Sequence, residues 1–171
     1  MENSVPKISV IIPLYNCEKF LKKCLDSLKN QTFKDFEAII VNSNSTDGSG
    51  NIAQAFAEND RRFIIINHKS GSAGEARNVG IQASKGAYLA FLDADDSLDE
   101  KFLETLYSQA TKYNADIVNS GFYFCFLNTG KTKKCGKLPK NGCYNRDQAM
   151  KYLLKDTKIR FYLWNKLWKK S

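Results

Sequence analysis

The chain alternates short apolar runs with longer segments whose apolar residues recur at helical spacing. The runs are residues 7–12, 36–41, 61–67 and 86–92, and a polar loop follows each of them. Continuous apolar runs of this length read as strands buried on both faces, as in a parallel sheet covered by helices. Pro13 should stop the first strand. Between the strands, Phe20, Leu21, Cys24, Leu25 and Leu28 mark an amphipathic helix over residues 18–30. Further helices are predicted over residues 49–58 and 73–84. A fourth should start at Ser97, where Ser97-Leu98-Asp99-Glu100 has the capping-box pattern, and bury Phe102, Leu103, Leu106, Tyr107 and Ala110. Residues 116–119 make a fifth strand, and residues 121–127 could extend the sheet. Strands alternating with helices predict an α/β, doubly wound, mostly parallel sheet with helices on both faces.

Beyond residue 127 the pattern weakens. Residues 128–142, rich in Lys, Gly and Thr, read as a loop or an exposed hairpin, and residues 147–154 as a short helix. Residues 160–168 hold Phe161, Tyr162, Leu163, Trp164, Leu167 and Trp168, and two tryptophans this close to the last residue suggest that a core or an interface continues beyond it. The chain is therefore divided into residues 1–127, the binding core, and residues 128–171, a basic C-terminal segment.

At 171 residues there is enough chain for one domain with a proper core. No apolar run is long enough to cross a membrane as a helix, and Met1-Glu2-Asn3-Ser4 lacks the pattern of a signal peptide. The five cysteines form no Cys-x-x-Cys pair, which argues for reduced thiols and a cytoplasmic location. With His68 the only histidine, a zinc site is not expected. Residues 1–130 hold 13 Lys/Arg against 16 Asp/Glu, whereas residues 131–171 hold 13 against two. Such a basic end could meet anionic lipid at the inner membrane surface, a diphosphate-linked acceptor or nucleic acid, or could simply be a solvated face. No nucleic-acid motif accompanies it, so no nucleic-acid partner is expected.

The chemistry concentrates in the loops after the strands. Asp93, Asp95 and Asp96 follow the apolar stretch Ala87-Tyr88-Leu89-Ala90-Phe91-Leu92, at the carboxyl end where open α/β sheets bind ligands. Crowded carboxylates suit a hard divalent cation, Mg²⁺ or Mn²⁺. Capping of the next helix could occupy Asp96 and Asp99, but it does not account for Asp93 and Asp95. The loops at residues 13–16, 42–48 and 68–74 should share the same rim. Tyr15 could stack on a base or be an ordinary half-buried tyrosine. Arg77 could meet a diphosphate or a base carbonyl, or form an ion pair with one of the acids. Gly80 falls inside a helix, where close packing would explain it. No glycine-rich phosphate cradle is present, so metal and Arg should hold any phosphates.

Four stretches carry a resemblance: Ile8-Ser9-Val10-Ile11-Ile12-Pro13-Leu14-Tyr15-Asn16, Ser45-Thr46-Asp47-Gly48-Ser49, Gly74-Glu75-Ala76-Arg77-Asn78-Val79-Gly80 and Asp93-Ala94-Asp95-Asp96. In order and spacing they resemble the N-terminal, nucleotide-sugar-binding part of family 2 glycosyltransferases, which have the Rossmann-like GT-A fold. Trp164-Asn165-Lys166-Leu167 resembles a stretch in bacterial members that build capsule and other surface polysaccharides. The resemblance implies that Tyr15 stacks on the base, with Pro13 and Asn16 shaping its pocket. It implies that Arg77 contacts base or diphosphate, that Asp93 faces the ribose or nucleotide, and that Asp95 of the Asp-x-Asp motif ligates Mn²⁺ or Mg²⁺. It also implies a nucleotide-sugar donor, a UDP-sugar foremost, a glycan or lipid-linked acceptor, and inversion at the anomeric carbon.

Two departures stand out. Where the family carries a pair of acids and a glycine, this chain has Asn42, Ser43 and Asn44. Ser43 can still hydrogen-bond a base, with altered preference. The family's catalytic base lies in a Glu-Asp pair beyond the Trp-Asn-Lys stretch, so the base is expected beyond Ser171, and neither Asp147 nor Asp156 has a matching context. The expectation is a transferase truncated before its base; the alternative is a non-catalytic nucleotide-sugar-binding module or remnant.

Overall fold

The computed structural model describes residues 5–69, 71–126, 128–135, 142–155 and 161–170. Its elements run β1 (Ile8–Leu14), α1 (Glu18–Lys29), β2 (Phe36–Asn42), α2 (Ser49–Asn59), β3 (Phe63–Asn67), α3 (Ala73–Ala83), β4 (Tyr88–Phe91), α4 (Phe102–Tyr113), β5 (Ile117–Asn119), β6 (Phe122–Cys125), β7 (Thr132–Cys135), α5 (Arg146–Leu154) and β8 (Lys166–Lys169). Six strands form one sheet in the order β3-β2-β1-β4-β8-β5. β1 through β4 are mutually parallel, and β8 is antiparallel to both of its neighbours, β4 and β5.

The central strands are apolar on both faces because helices cover both. Ile8, Val10, Ile12 and Leu14 pack with Leu21, Cys24, Leu25 and Leu28 of α1, Ala53 of α2, and Leu103, Leu106 and Ala110 of α4. On the other face, Ile39 and Val41 meet Ala76 and Val79 of α3, and Ile11 and Phe91 meet Ile81. A Cβ at Gly80 would lie 2.4 Å from Ile11 Cγ2, so the glycine lets α3 lie close on β1. Gly86 is equally constrained: a Cβ there would come within 2.6 Å of the Ser9 backbone nitrogen.

Several sequence expectations are corrected. β1 continues through Pro13, which pairs with Val41. Leu92 N–H donates to Ile11 on the β4 side and Ser43 N–H to Leu14 on the β2 side. By alternation Pro13 faces β4, whose pairing with β1 ends at Ile11–Phe91. The missing N–H therefore costs no ladder bond. Ser97 does not cap α4, which begins five residues later at Phe102. Buried Gln31 does that work from a distance: its Oε1 accepts from Leu103 N–H at 3.0 Å, and its Nε2 donates to the Ser27 and Asp99 carbonyls. Residues 122–125 form a strand, as the sequence suggested, but it pairs with β7 in a separate hairpin and not with the main sheet. Strand β8 was not foreseen, and it brings residues 166–169 from the basic segment into the sheet between β4 and β5. Leu127, Asp156, Arg160 and Ser171 lie outside the described residues. Among the described residues no helix is long and apolar enough to cross a membrane.

Candidate active site

Parallel strands place their carboxyl ends at one rim, and the loops leaving β1, β2, β3 and β4 meet there. They enclose a cleft of about 710 Å³ lined by Pro13, Tyr15 and Cys17, by Ser43 and Asn44, by Lys69, Gly71, Ser72 and Ala73, and by Arg77, Asp93, Ala94 and Asp95. Six of the seven residues singled out from sequence, Pro13, Tyr15, Ser43, Arg77, Asp93 and Asp95, thus face one space.

The seventh, Asn16, does not line the cleft; it fastens two loops together. It adopts a left-handed φ of 48°, which Asn tolerates. Its Oδ1 accepts from Thr46 N–H at 2.8 Å, and its own N–H donates to Ser45 Oγ at 3.2 Å. Asp47 extends the stitch, accepting from Glu18 N–H at 3.1 Å and from Ser49 N–H at 3.0 Å. One carboxylate thereby satisfies the first N–H of both α1 and α2. The Ser49 hydrogen bonds hold its carboxyl below the usual range. Glu18 reciprocates by accepting from Gly48 N–H at 3.0 Å.

Of the unusual residues 42–44, Asn42 is structural. It accepts from Ser45 N–H and donates to Asn67 Oδ1, tying the ends of β2 and β3. Asn44 sits at φ 55°, a left-handed conformation that Asn tolerates. That leaves Ser43 and Asn44 to face the cleft.

Arg77 projects from α3 and pairs with Asp93 at 2.5 Å, so the ion-pair alternative is realised. The guanidinium has capacity left over: Nε is buried without a hydrogen-bond partner among the described residues. Tyr15 is 63% exposed rather than half-buried, and its ring is free to take a flat ligand. Asp95 is exposed and has no hydrogen bond or ion pair among the described residues. Negative charge accumulates around it. The Asp96 carboxyl is pushed up to about 6, by surrounding protein first and then by Asp95 and Asp93. The Cys17 thiol is raised by burial, then by Asp95, Asp47 and Asp93. Asp96 does not line the cleft; its N–H closes a turn on the Asp93 carbonyl at 3.0 Å.

Among the described residues no cluster of three or more ligating side chains exists. A single free carboxylate in a negative field still fits Mg²⁺ or Mn²⁺, ions commonly held by one or two carboxylates with substrate phosphates and water completing the shell. The 68–74 loop and the start of α3 stand at this rim as the sequence suggested, with Lys69, Gly71, Ser72 and Ala73 on the cleft wall and Ser72 capping α3 by accepting from Glu75 N–H.

A mostly parallel α/β sheet with an acidic, nucleotide-sized cleft at its carboxyl rim is the GT-A arrangement of glycosyltransferases. The model of "Glycosyl transferase family 2" matches residues 9–164, and the chain belongs to that family. It is 43% identical over 117 residues to the glycosyltransferase GlyA of Streptococcus pneumoniae, covering 68% of this chain and 17% of that protein. Its fold matches S. aureus TarS in complex with UDP with a TM-score of 0.66 at 24% identity, over 95% of this chain and 46% of the other. It also matches the mannosyltransferase PcManGT of Pyrobaculum calidifontis, in complex with GDP-Man and Mn²⁺, with a TM-score of 0.60 at 21% identity, over 68% and 36%. The chain spans less than half the length of each of these proteins.

Proposed function

We propose that this chain is the donor-binding part of a glycosyltransferase that moves a sugar from a nucleoside diphosphate sugar, a UDP-sugar foremost, to a glycan or lipid-linked acceptor. One observation carries the reading: an exposed aromatic, an Arg–Asp pair with a spare guanidinium donor and an uncompensated carboxylate share one cleft. Each matches one part of such a donor. Tyr15 stacks on the base while Pro13 and Ser43 bound its edge. Asp93 accepts from a ribose hydroxyl, and Arg77 reaches an oxygen of base or diphosphate. Asp95 holds Mn²⁺ or Mg²⁺ against the diphosphate, and such an ion supplies neutralisation of the charge that develops on the leaving group. The fold neighbour PcManGT is in complex with GDP-Man and Mn²⁺, which supports a divalent cation in this reading.

In the reaction an acceptor oxygen bonds to the anomeric carbon from the side opposite the diphosphate. The carbon–oxygen bond to the diphosphate breaks, and the acceptor proton passes to a carboxylate base. That attack inverts the anomeric carbon. We place the base outside the described cleft, because Asp93 is committed to Arg77 and Asp95 to the cation.

Calorimetric titration with UDP and then GDP, with and without Mn²⁺, tests the proposal. UDP binding that requires Mn²⁺ and is lost in Asp95→Ala is expected. Absence of binding to either nucleotide would overturn the donor-site reading and leave a non-catalytic remnant.

A further inference from the structure

The loop that carries Asp95 is held by α1, a helix none of whose residues lines the donor cleft. Residues 92–101, between β4 and α4, contain neither helix nor strand. The bonds the loop makes with itself are short-range. Asp96 N–H closes on the Asp93 carbonyl, and the N–H groups of Lys101 and Phe102 close on Asp99. Turns of this kind shape a loop but do not fix where it stands against the rest of the fold.

That placement comes from one face of α1 and the residues just after it. Cys24 Sγ donates to the Asp93 carbonyl at 3.6 Å. Ser27 Oγ accepts from Leu98 N–H at 3.0 Å and donates to the Cys24 carbonyl at 2.6 Å. Gln31 is fully buried. Its Nε2 donates to the Asp99 carbonyl at 2.7 Å and to the Ser27 carbonyl at 3.1 Å. Thr32 N–H donates to the Glu100 carbonyl at 2.9 Å, and its hydroxyl donates to Glu104 Oε2 at 2.8 Å. Capping of α4 accounts for the bond from Leu103 N–H to Gln31 Oε1, but not for the bonds to Leu98 and Asp99, which lie on the loop itself.

These bonds frame Asp95. Ala94 is 5% exposed and Leu98 packs against the main core, so the loop is anchored on both sides of an exposed arch, Asp95-Asp96-Ser97. Asp95 has no side-chain bond among the described residues, so its place is set through the backbone at either end of that arch. The other end of α1 is fixed beside Tyr15 and Ser43. Cys17 N–H donates to Ser49 Oγ at 2.8 Å, and Glu18 exchanges bonds with Asp47 and Gly48. One helix therefore joins the loops at the two ends of the cleft.

A carboxylate ligand is only as well placed as the groups behind it, and those groups weigh heavily in metal affinity. We propose that Ser27 and Gln31 are positioning residues for a divalent cation at Asp95: through the backbone of residues 98 and 99 they set where that carboxylate meets a diphosphate, although neither side chain lines the cleft. The inference rests on the donor-site reading.

The test follows UDP binding to the full chain by calorimetry as Mn²⁺ is raised, and uridine binding by NMR titration. Ser27→Ala removes the acceptor of Leu98 N–H and should raise the Mn²⁺ concentration at half-saturation about 10–100-fold, the usual cost of losing a group behind a metal ligand. Uridine has no phosphate for a cation to bridge, so it should bind Ser27→Ala as it binds the wild type. Ser27→Thr keeps the hydroxyl and should restore the Mn²⁺ midpoint. Gln31→Met should shift that midpoint at least as far as Ser27→Ala, and the Ser27 pair decides the matter if Gln31→Met does not fold. An unchanged midpoint in Ser27→Ala, an equal loss of uridine binding, or a midpoint that Ser27→Thr does not restore would each overturn the proposal. A wild-type chain that binds no UDP with Mn²⁺ would instead overturn the donor-site reading, and the positioning role would fall with it.

Discussion

Replacing Gly80 with Ala tests how closely α3 must lie on the sheet for the donor cleft to keep its shape. The added carbon would sit 2.4 Å from Ile11 Cγ2 and 3.2 Å from Ile11 Cγ1. Carbon atoms pack at about 3.5–4.0 Å, so roughly 1.1–1.6 Å of overlap must be relieved. Ile11 is fully buried in the middle of β1, and its β-branched side chain has little rotamer freedom. The helix must therefore lift. Overpacking of this kind costs about 1–3 kcal/mol, against up to about 1 kcal/mol that Ala gains over Gly in a helix interior. The expected net effect is destabilisation of up to about 2 kcal/mol. Ile11→Ala removes both colliding atoms at its own cost of about 2–5 kcal/mol. In that background the added carbon meets only Ile11 Cβ, at 3.3 Å, a contact relieved by a shift of a few tenths of an ångström, so Gly80→Ala should cost much less than it does in the wild-type chain. Urea unfolding of the four proteins gives the coupling directly. Arg77 lies one turn before Gly80 on the same helix, so UDP affinity should also fall in Gly80→Ala. A stabilising Gly80→Ala in the wild-type background, or the same change in both backgrounds, would refute the packing argument.

Asp47→Ala removes the acceptor for the first N–H of two helices and should lower the urea unfolding midpoint, with Asp47→Asn losing less because one acceptor oxygen remains. Arg77→Lys exchanges a planar fork for a point charge that cannot serve Asp93 and a ligand oxygen together; UDP affinity should fall about tenfold by calorimetry while the unfolding midpoint moves little. Burial pushes the Lys166 ammonium down to about 8, so between about pH 8 and pH 10.5 the unfolded chain holds a proton that the folded chain has lost. Stability should therefore rise with pH across that window relative to Lys166→Met and run parallel to it below pH 8, as measured by urea unfolding at each pH.

The parallel half of the fold was legible because its strands are buried on both faces, and burial on both faces writes an unbroken apolar run. β8 wrote no such run. Lys166-Leu167-Trp168-Lys169 has two lysines in four residues, and it becomes a strand only because β4 and β5 leave a slot for it. The start of α4 was misplaced for a related reason. The local pattern at Ser97 is a good cap in isolation, but the cap used is Gln31, some seventy residues upstream of its partner Leu103. Local chemistry can propose a helix start; it cannot see an amide supplied by another loop. At the rim, the sequence showed that Tyr15, Arg77 and Asp95 would lie together, because each sits in or just after a loop at the carboxyl end of a strand. The resemblance gave Asn16 a part in shaping the pocket; its side chain holds the bounding loops together, through a φ of 48° and partners thirty residues away that the local sequence does not show.

That role explains how the cleft can exist despite the unusual second loop. The rim is held by bonds between loops: Asn16 to Thr46, Asp47 to Glu18, Glu18 to Gly48, and Asn42 to Asn67. These bonds use backbone N–H groups and short polar side chains, so they need no acid at positions 42–44. They also set the relative placement of Tyr15 and Ser43 without any ligand, which lowers the ordering cost of binding. The groups left over are those the donor-site proposal uses: the exposed Tyr15 ring, the Arg77 guanidinium and the exposed Asp95 carboxylate. Substitutions at the rim should therefore separate into two kinds. Those at Asn16, Glu18 or Asp47 should lower stability and nucleotide affinity together, whereas those at Tyr15, Ser43 or Asp95 should lower affinity with stability preserved, because only the first set is bonded to the protein itself.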